Sequence, residues 1–243
     1  YLIPYSKDLH VITAIGNCFF RPLDNPGTPK RETFEPGENF GADSVTKLTW
    51  KDLFDSLACT ECGRCEEACP AWHTGKTLNP RRLIHDIKVN LLGNAEEVKK
   101  GNDPILPLIG GSEEGSCQEE AIWDCTTCGA CLEACPVFIE HPHTTIQMRR
   151  FLVQERARFP EELLNLFENT EQRSNPWGMP PADRAKWCSP FGDRPYDAES
   201  CDYLFFVGCA GAYDNRSKHV TAALGMILDD AGVSWGILGK EEL

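Results

Sequence analysis

Several features that define other protein classes are missing from this chain of 243 residues. It contains no uninterrupted apolar run of about 18 residues, so no segment as written spans a bilayer as a helix. It also lacks the charged and apolar stretches of a secretory signal. Basic residues are scarce: 24 Lys and Arg stand against 37 Asp and Glu, a formal charge of -13. This balance argues against nucleic acid as a partner and disfavours anionic lipid surfaces.

Cysteine, in contrast, is abundant. The chain has 13 cysteines in an otherwise ordinary globular composition, with 41% hydrophobic and 25% charged residues. Because the count is odd, the cysteines cannot all pair as disulfides within one chain. Their spacing therefore has to indicate their role.

Eight of the cysteines lie in an internal repeat. The segments CTECGRCEEACP (59–70) and CTTCGACLEACP (125–136) are identical at nine of twelve positions and start 66 residues apart. A short helical segment that opens with a capping-box pattern precedes each copy. The paired residues are Thr49 with Asp52 and Ser116 with Glu119. The sequence thus predicts a helix that leads into a cysteine loop, used twice.

The spacing of each copy, C-x-x-C-x-x-C-x-x-x-C-P, favours an iron-sulfur cluster. Three cysteines within seven residues form a tight loop, and Gly63 or Gly129 lets the backbone turn its N–H groups toward sulfur. The fourth cysteine precedes a proline, which turns the chain away. Structural zinc usually takes two separated C-x-x-C pairs, and a secreted disulfide framework conflicts with the odd count. Both alternatives are therefore weaker.

The cysteine run resembles that of two-cluster bacterial ferredoxins, in which the fourth cysteine ligates the other cluster. This resemblance implies two [4Fe-4S] clusters with crossed ligand sets. The first set is Cys59, Cys62, Cys65 and Cys135, and the second set is Cys125, Cys128, Cys131 and Cys69. Free thiolates also indicate a reducing compartment.

The insert between the two copies predicts a helical ferredoxin domain rather than a compact βαβ one. Residues 79–93 have Asn79 as N-cap, Pro80 at the first helical position and Gly93 as the predicted C-terminal stop. One apolar face of this helix comprises Leu83, Ile84, Ile87 and Leu91. Residues 94–115 are predicted to form a surface excursion.

The rest of the chain predicts a helical, proline-rich connector and then the start of an α/β domain. Helical periodicity over 143–172 is interrupted at Pro160, and the proline-rich stretch 175–196 is typical of a linker. Strands at 203–207 and 233–238 flank a helix at 217–230, and the first of these strands is predicted to be buried. One such unit cannot cover both faces of a sheet, and residues 1–4 (YLIP) are typical of the end of an apolar segment. We therefore expect the chain to be part of a longer polypeptide.

Beyond the cysteine loops, several segments resemble those of one known family in the same order. They are LTWKDLFDSLACTECGRCEEACPAWHTGK, WDCTTCGACLEACPVFIEH, MRRF, NPWGM and FFVGCAGAYDNR. They are similar to the bacterial membrane-associated iron-sulfur oxidoreductases related to heterodisulfide reductase, in particular the electron-transferring-flavoprotein:menaquinone oxidoreductases. Such proteins combine a haem b membrane domain, a two-cluster ferredoxin domain and a pair of CCG-type domains.

The resemblance implies a mainly α chain with four parts. Residues 1–48 are the end of the membrane domain and an extended arm, and residues 49–142 are the two-cluster α-helical ferredoxin domain. Residues 143–200 are the helical and proline-rich connector, and residues 201–243 are the start of a CCG-type α/β domain.

Two further residues gain a role only from this resemblance. The segment 4–13 (PYSKDLHVIT) resembles the end of a haem-binding membrane helix, which implies that His10 is an axial haem b ligand. Cys209 matches the first cysteine of a CCG-type module, which implies a ligand of a non-cubane iron-sulfur cluster. A histidine at a lipid–water boundary and a free cysteine on a turn are the respective alternatives. Four cysteines fit no known spacing and are predicted to be buried as small apolar side chains: Cys18, Cys117, Cys188 and Cys201.

The function that the resemblance implies is electron transfer at the cytoplasmic face of the cell membrane. Electrons pass from a reduced flavoprotein, an electron-transfer flavoprotein, through the two clusters to haem b and menaquinone. No side chain is assigned a catalytic role, because the cofactors carry the chemistry. The alternatives are a heterodisulfide reductase-like enzyme, the iron-sulfur subunit of a glycerol-3-phosphate, glycolate or lactate dehydrogenase, and a non-catalytic electron-carrier module.

Overall fold

This computed structural model describes residues 8–23, 26–29, 31, 32, 34, 40–111 and 113–242. The apolar start at 1–4 and the first part of the segment 4–13 lie outside the described residues. The fold is 54% helix and 4% strand, which confirms the mainly α class. The chain divides into two compact units, Tyr1–Arg158 and Phe159–Leu243, and the finer division into four domains stays a prediction.

Short helices around one long helix build the first unit. In chain order they are α1 (Leu9–Phe19), α2 (Trp50–Ala58), α3 (Arg64–Glu67), α4 (Pro70–His73), α5 (Pro80–Lys99), α6 (Glu119–Asp124), α7 (Ala130–Glu133) and α8 (His141–Arg150). A 3-10 helix (Val45–Lys47) precedes α2, and a π-helical turn (Phe151–Glu155) extends α8. Helix α1 packs against α2, α5 packs against α2 and α3, and α6 packs against α8. None of the helices in the described residues is long and apolar enough to cross a membrane.

One apolar core lies among these helices and includes part of the cysteine loops. Its central side chains, fully buried or nearly so, are Ile84 and Ile87 from α5, Ile122 from α6 and Met148 from α8. Burial of each such side chain contributes roughly 1.5–3 kcal/mol. The same core contains Cys59, Cys69 and Cys135. The loops are therefore anchored on the most tightly packed part of the unit.

The two predicted capping boxes have different outcomes. At the start of α2, the Thr49 hydroxyl accepts from the Asp52 N–H (3.2 Å) and the Asp52 carboxylate accepts from the Thr49 N–H (3.0 Å), as predicted. The second box is wrong, because α6 begins after Gln118 without a side-chain cap. The Ser116 hydroxyl instead accepts from the Gly111 N–H (2.7 Å), so it closes the preceding loop.

The long helix α5 starts as predicted, with the Asn79 side chain accepting from the Arg82 N–H (3.1 Å), but Gly93 does not stop it. The helix continues to Lys99 because Asn94 binds the chain that returns along it. The side-chain oxygen of Asn94 (Oδ1) accepts from the backbone N–H groups of Ile105 and Leu106, both at 2.9 Å. The predicted surface excursion therefore begins as helix, and Leu108 within it is fully buried.

The second unit contains the predicted strand–helix–strand order. Its elements are α9 (Glu162–Arg173), β1 (Tyr203–Leu204), α10 (Gly208–Tyr213), α11 (Asn215–Asp230) and β2 (Trp235–Gly236), with 3-10 helices at Pro181–Asp183, Lys186–Phe191 and Gly239–Glu241. The strands are parallel, with Tyr203 opposite Trp235 and Leu204 opposite Gly236.

An aromatic cluster forms the core of the second unit. Trp187 stacks on Trp235 with ring centroids 6.3 Å apart, and Phe205 packs edge-on against Trp235 at 5.6 Å. The proline-rich stretch predicted as a linker thus supplies a core residue, Trp187. The predicted burial of the first strand is wrong for Tyr203 and Leu204, which are 63% and 40% exposed. In the described part of the chain, β1 pairs with β2 alone.

Candidate metal centre

The two cysteine loops follow the same backbone path. Cys59 caps the C-terminus of α2 and Cys125 caps that of α6, both in extended conformation. Gly63 (φ 82°) and Gly129 (φ 78°) then begin α3 and α7 as left-handed residues. A Cβ at either glycine would meet nothing within 4 Å, so the backbone conformation, not space, requires glycine. The role predicted for these glycines is confirmed.

Each loop has a second left-handed residue that the sequence pattern did not reveal. Glu61 and Thr127 occupy equivalent positions and both have φ 53°. A left-handed backbone costs a residue with a Cβ roughly 1–2 kcal/mol. The turn aims the Thr127 N–H at the Cys125 sulfur (3.4 Å), and the Glu61 N–H makes the equivalent bond to Cys59. These N–H···S bonds offset the strain.

The first loop lines a small cavity together with one cysteine of the second loop. Three cysteines of the first repeat line it, and the fourth is the last cysteine of the second repeat: Cys59, Cys62, Cys65 and Cys135. The Cys135 sulfur also accepts from the Ile139 N–H (3.4 Å). The side chains brought together here are those of the first predicted ligand set.

The second loop lines a small cavity in the same way. Its cysteines are Cys69, Cys125, Cys128 and Cys131, so here the last cysteine of the first repeat joins three of the second. The crossing arises because α3 lies against α7, which brings each loop next to the end of the other.

The arrangement fits two clusters better than two single ions. In a zinc site, the ligand sulfur atoms lie about 2.3 Å from one metal. Within the described residues, no three His, Cys, Asp or Glu side chains converge closely enough to hold one metal ion. Four thiols instead line each of two cavities, and four thiolates are the usual ligand set of a [4Fe-4S] cluster.

Burial and crowding keep the thiols of Cys65 and Cys131 protonated at neutral pH when no cation is nearby. Burial, with the charges of Cys59 and Cys135, raises the pKa of Cys65 to about 12. Burial, with the charges of Cys125 and Cys65, raises the pKa of Cys131 to about 12. Binding of iron as thiolates therefore has to release protons, as metal binding to cysteine generally does.

A buried histidine that sequence reasoning did not select lines both cavities. His141 is 4% exposed, and its Nδ1 lies 3.1 Å from the Ile139 carbonyl oxygen. Because a carbonyl can only accept, the proton lies on Nδ1. Burial lowers the pKa of His141 to about 4, so the ring is neutral at pH 7. In the sequence, only the position of His141 shortly after Cys135, the fourth cysteine of the second repeat, indicates a place near the clusters.

Neither His10 nor Cys209 is among the residues that line these two cavities. His10 is on α1 of the first unit. Cys209 is on α10 of the second unit, where Nη2 of the buried Arg184 donates to its sulfur at 3.4 Å. Their predicted roles as ligands stay predictions.

The four remaining cysteines divide into two groups. Cys117 and Cys188 are buried, as predicted. The prediction is wrong for Cys18, which is exposed, and for Cys201, which is partly exposed. Cys18 follows Asn17 on α1, and only the side of the helix that carries Asn17 faces the core.

Comparison with known proteins agrees with this geometry. Residues 55–139 match the family described as a 4Fe-4S dicluster domain. Over 99% of its length, the chain is 38% identical to the EtfAB:quinone oxidoreductase of Syntrophomonas wolfei, of which it covers 37%. Over the same share, it is 32% identical to the "probable iron-sulfur-binding oxidoreductase FadF" of Bacillus subtilis, of which it covers 39%.

A more distant relative has heterodisulfide reductase in its name. It is one of the subunits of the dihydromethanophenazine:CoB--CoM heterodisulfide reductase of Methanosarcina mazei. The chain is 28% identical to it over 80% of its own length and covers 46% of the relative. The chain thus spans less than half the length of each of these three relatives. The chain is thus similar to iron-sulfur oxidoreductases related to heterodisulfide reductase, among them EtfAB:quinone oxidoreductase, and its residues 55–139 match the 4Fe-4S dicluster domain.

Proposed function

We propose that this chain carries electrons through two [4Fe-4S] clusters inside an oxidoreductase that links a reduced flavoprotein to the quinone pool. The observation that carries the proposal is the pair of four-cysteine cavities, each lined by three cysteines of one loop and one of the other. The ligands of the first cluster are Cys59, Cys62, Cys65 and Cys135. The ligands of the second cluster are Cys69, Cys125, Cys128 and Cys131.

The residues around the cavities hold the ligands and exclude water. When bound, the two clusters supply one-electron transfer and so can take the two electrons of a reduced flavin in sequence. The backbone N–H groups of Thr127 and Ile139 donate to ligand sulfurs, which favours thiolate. Cys62 and Cys128, the middle cysteine of each loop, are exposed, so each site has one side open to a docked partner.

The proposed donor is an electron-transfer flavoprotein, and the proposed acceptors are haem b and menaquinone at the cytoplasmic face of the cell membrane. The name of the Syntrophomonas wolfei relative, which includes EtfAB and quinone, supports both ends of this path. In this proposal His10 is an axial ligand of haem b. Its neutral imidazole is chemically suited to that role.

A heterodisulfide reductase-like activity is the second candidate. It rests on Cys209 as a ligand of a non-cubane [4Fe-4S] cluster in the second unit. Arg184 is 3% exposed and donates to the Cys209 sulfur, and Nε of Arg184 has no hydrogen-bond partner within the described structure. The Arg184 guanidinium also lies 3.4 Å from the carboxylate of the buried Glu242, so the Cys209 sulfur contacts a buried ion pair of the second unit.

Reduction of the clusters by a flavoprotein tests the proposed electron transfer. The intact protein, isolated without oxygen, is mixed with electron-transfer flavoprotein that an acyl-CoA dehydrogenase keeps reduced, and the clusters are followed by electron paramagnetic resonance. We expect both cluster signals to appear and a menaquinone analogue to be reduced. Signals with dithionite but not with the flavoprotein would point to another donor or to a carrier module. No signal with either reductant would contradict electron transfer altogether.

The haem assignment has its own test. In the intact protein, His10→Ala should remove one b-type haem signal from the absorption spectrum, while the iron and sulfide content stays unchanged. An unaltered haem spectrum would exclude His10 as a ligand and leave it as a boundary histidine.

A further inference from the structure

The two halves of the repeat are supported by different groups at the helix that precedes each loop. The carbonyl of Leu57 in α2 accepts from the hydroxyl of Thr13 on α1 (2.9 Å). The equivalent residue 66 positions later is Trp123, whose carbonyl accepts from the guanidinium of Arg149 on α8 (3.1 Å). The carbonyl before the first loop thus accepts from a neutral hydroxyl, whereas the equivalent carbonyl before the second loop accepts from a cation.

Arg149 is bound tightly at this end of α6. Its Nε and Nη2 donate to the carbonyl of Ile122 at 3.0 and 2.6 Å, and Nη2 also donates to the carbonyl of Cys125. The guanidinium carbon lies 5.3 Å from the centre of the Trp123 ring. These contacts hold the positive charge of Arg149 against the backbone of Cys125, which ligates the second cluster in the proposed function.

Arg149 forms its polar contacts with backbone carbonyls. Among the residues that the structure describes, none of the ion pairs includes Arg149. Burial lowers the pKa of Arg149, while the charge of Cys125 opposes that change. An arginine nevertheless stays protonated at neutral pH, so the site keeps a fixed positive charge.

Several of the other charged side chains around the two loops lie in ion pairs. At the first loop, Nε of Arg81 lies 3.0 Å from a carboxylate oxygen of Glu66, and Nζ of Lys51 lies 2.6 Å from one of Asp55. Nζ of Lys88 and Nδ1 of His85 each lie 3.4 Å from a carboxylate oxygen of Glu61. At the second loop, Asp124 lies 3.6 Å from Lys76 and also accepts from the Thr77 N–H. Arg64 of the first loop is exposed, where water screens its charge. Arg149 is therefore the cation that distinguishes the second loop.

We propose that Arg149 raises the reduction potential of the second cluster above that of the first. Reduction adds one negative charge, and a fixed cation in a partly buried site stabilises the reduced form more than the oxidised form. The first electron that the two-cluster domain accepts then resides on the side of Cys125 and Cys128. This inference rests on the proposed ligand sets and adds an order of reduction to them.

The test is a redox titration of the intact protein, followed by electron paramagnetic resonance. The signal of the second cluster is identified as the one that Cys128→Ser alters. In the unmodified protein, this signal should be the first to appear as the potential is lowered. In Arg149→Gln, the ratio of reduced to oxidised second cluster at a fixed potential should fall about tenfold or more, equivalent to about 59 mV for one electron.

Three further variants separate charge from structure. Arg149→Lys keeps the charge and should restore most of the shift. Asp124→Asn removes a negative charge beside Cys125 and should move the same signal in the opposite direction. If Arg149→Gln loses its clusters, this variant tests whether charge beside Cys125 sets the potential of the second cluster. Arg158→Gln, an exposed arginine paired with Glu119, should move neither signal.

The result that would contradict the proposed function differs from the result that would contradict the inference about Arg149. If iron and sulfide analysis of the unmodified protein does not give two clusters, the proposed function itself fails. If two clusters are present but the signal altered by Cys128→Ser is the second to be reduced, or neither Arg149→Gln nor Asp124→Asn moves it, only the inference about Arg149 fails.

Discussion

His143 and Asp52 form a buried hydrogen-bonded pair that joins α8 to α2 across 91 positions of sequence. The His143 Nδ1 lies 2.8 Å from the Asp52 Oδ1, and the two side chains are 9% and 3% exposed. The same carboxylate accepts from the Thr49 hydroxyl (2.7 Å), so it closes the capping box of α2 as well. One side chain thus fixes both the start of the helix before the first loop and the helix that follows the second.

The pair predicts that stability depends on pH. The hydrogen bond to Asp52 raises the pKa of His143 above its ordinary value of 6.5, although burial opposes this. Burial acts to raise the pKa of Asp52, but the bonds from His143 and Thr49 outweigh it and lower the pKa below 3.8. The stabilisation is therefore complete between about pH 4 and pH 6.5. It is lost as the pH rises through the raised pKa of His143 or falls through the lowered pKa of Asp52.

His143→Gln tests this dependence. The variant should be about 2 kcal/mol less stable than the unmodified protein at pH 6, because a hydrogen bond between charged groups is lost, and the difference should shrink by pH 9. Apparent melting temperatures measured by circular dichroism at several pH values provide the comparison. His85→Gln is the matched control, since its pairs with Glu61 and Glu114 are at the surface and contribute little. A difference for His143→Gln that is the same at every pH would contradict the assignment.

The crossed cavities predict which cysteine variants act alike. Cys69→Ser and Cys128→Ser should alter one cluster signal, and Cys135→Ser and Cys62→Ser should alter the other, because each pair lines one cavity. Electron paramagnetic resonance of the reduced protein reads both signals. Cys117→Ser, buried but outside both cavities, should leave both signals intact. If Cys69→Ser instead altered the same signal as Cys62→Ser, the ligands would not cross.

Two glycine substitutions should change stability in opposite directions. Gly93→Ala lies inside α5, where the new Cβ would contact a Leu106 methyl group at an ordinary 3.6 Å, so we expect a gain of up to about 1 kcal/mol. Gly63→Ala forces a Cβ onto a backbone with φ 82° and should cost roughly 1–2 kcal/mol. Thermal unfolding measures both. A loss of stability in Gly93→Ala would mean that the helix does not continue through this residue.

Asn94 should be the most sensitive polar residue of α5. It is 1% exposed, accepts from Ile105 and Leu106, and donates to the Leu106 carbonyl and to the Asn90 side chain. Asn94→Ala leaves buried backbone groups without partners and should cost about 1–3 kcal/mol. Asn102→Ala, which removes an exposed bond to Glu97, should change stability by no more than about 0.5 kcal/mol. Equal effects in a denaturation experiment would show that the loop is not held by Asn94.

Local signals predicted the elements whose energetics are local. The capping box at Thr49, the N-cap at Asn79 and the left-handed glycines are each specified by residues within a few positions, so sequence reasoning located them correctly. The same reasoning failed at Ser116 and Gly93. In both places a side chain binds the neighbouring loop rather than a helix end: Ser116 accepts from the Gly111 N–H, and Asn94 accepts from the Ile105 N–H. The capping patterns used for the prediction do not reveal that preference.

The sequence by itself determined the kind of chemistry, because two runs of four cysteines with this spacing are typical of iron-sulfur clusters. The resemblance implied which cysteines belong together, but only the tertiary structure brings them to one cavity, because α3 and α7 meet through packing between residues more than 60 positions apart. It also decided that Arg149 and His141 lie at the cysteine loops. Their places depend on how α8 packs against α6 and α7, and that is a property of the assembled core rather than of any short segment.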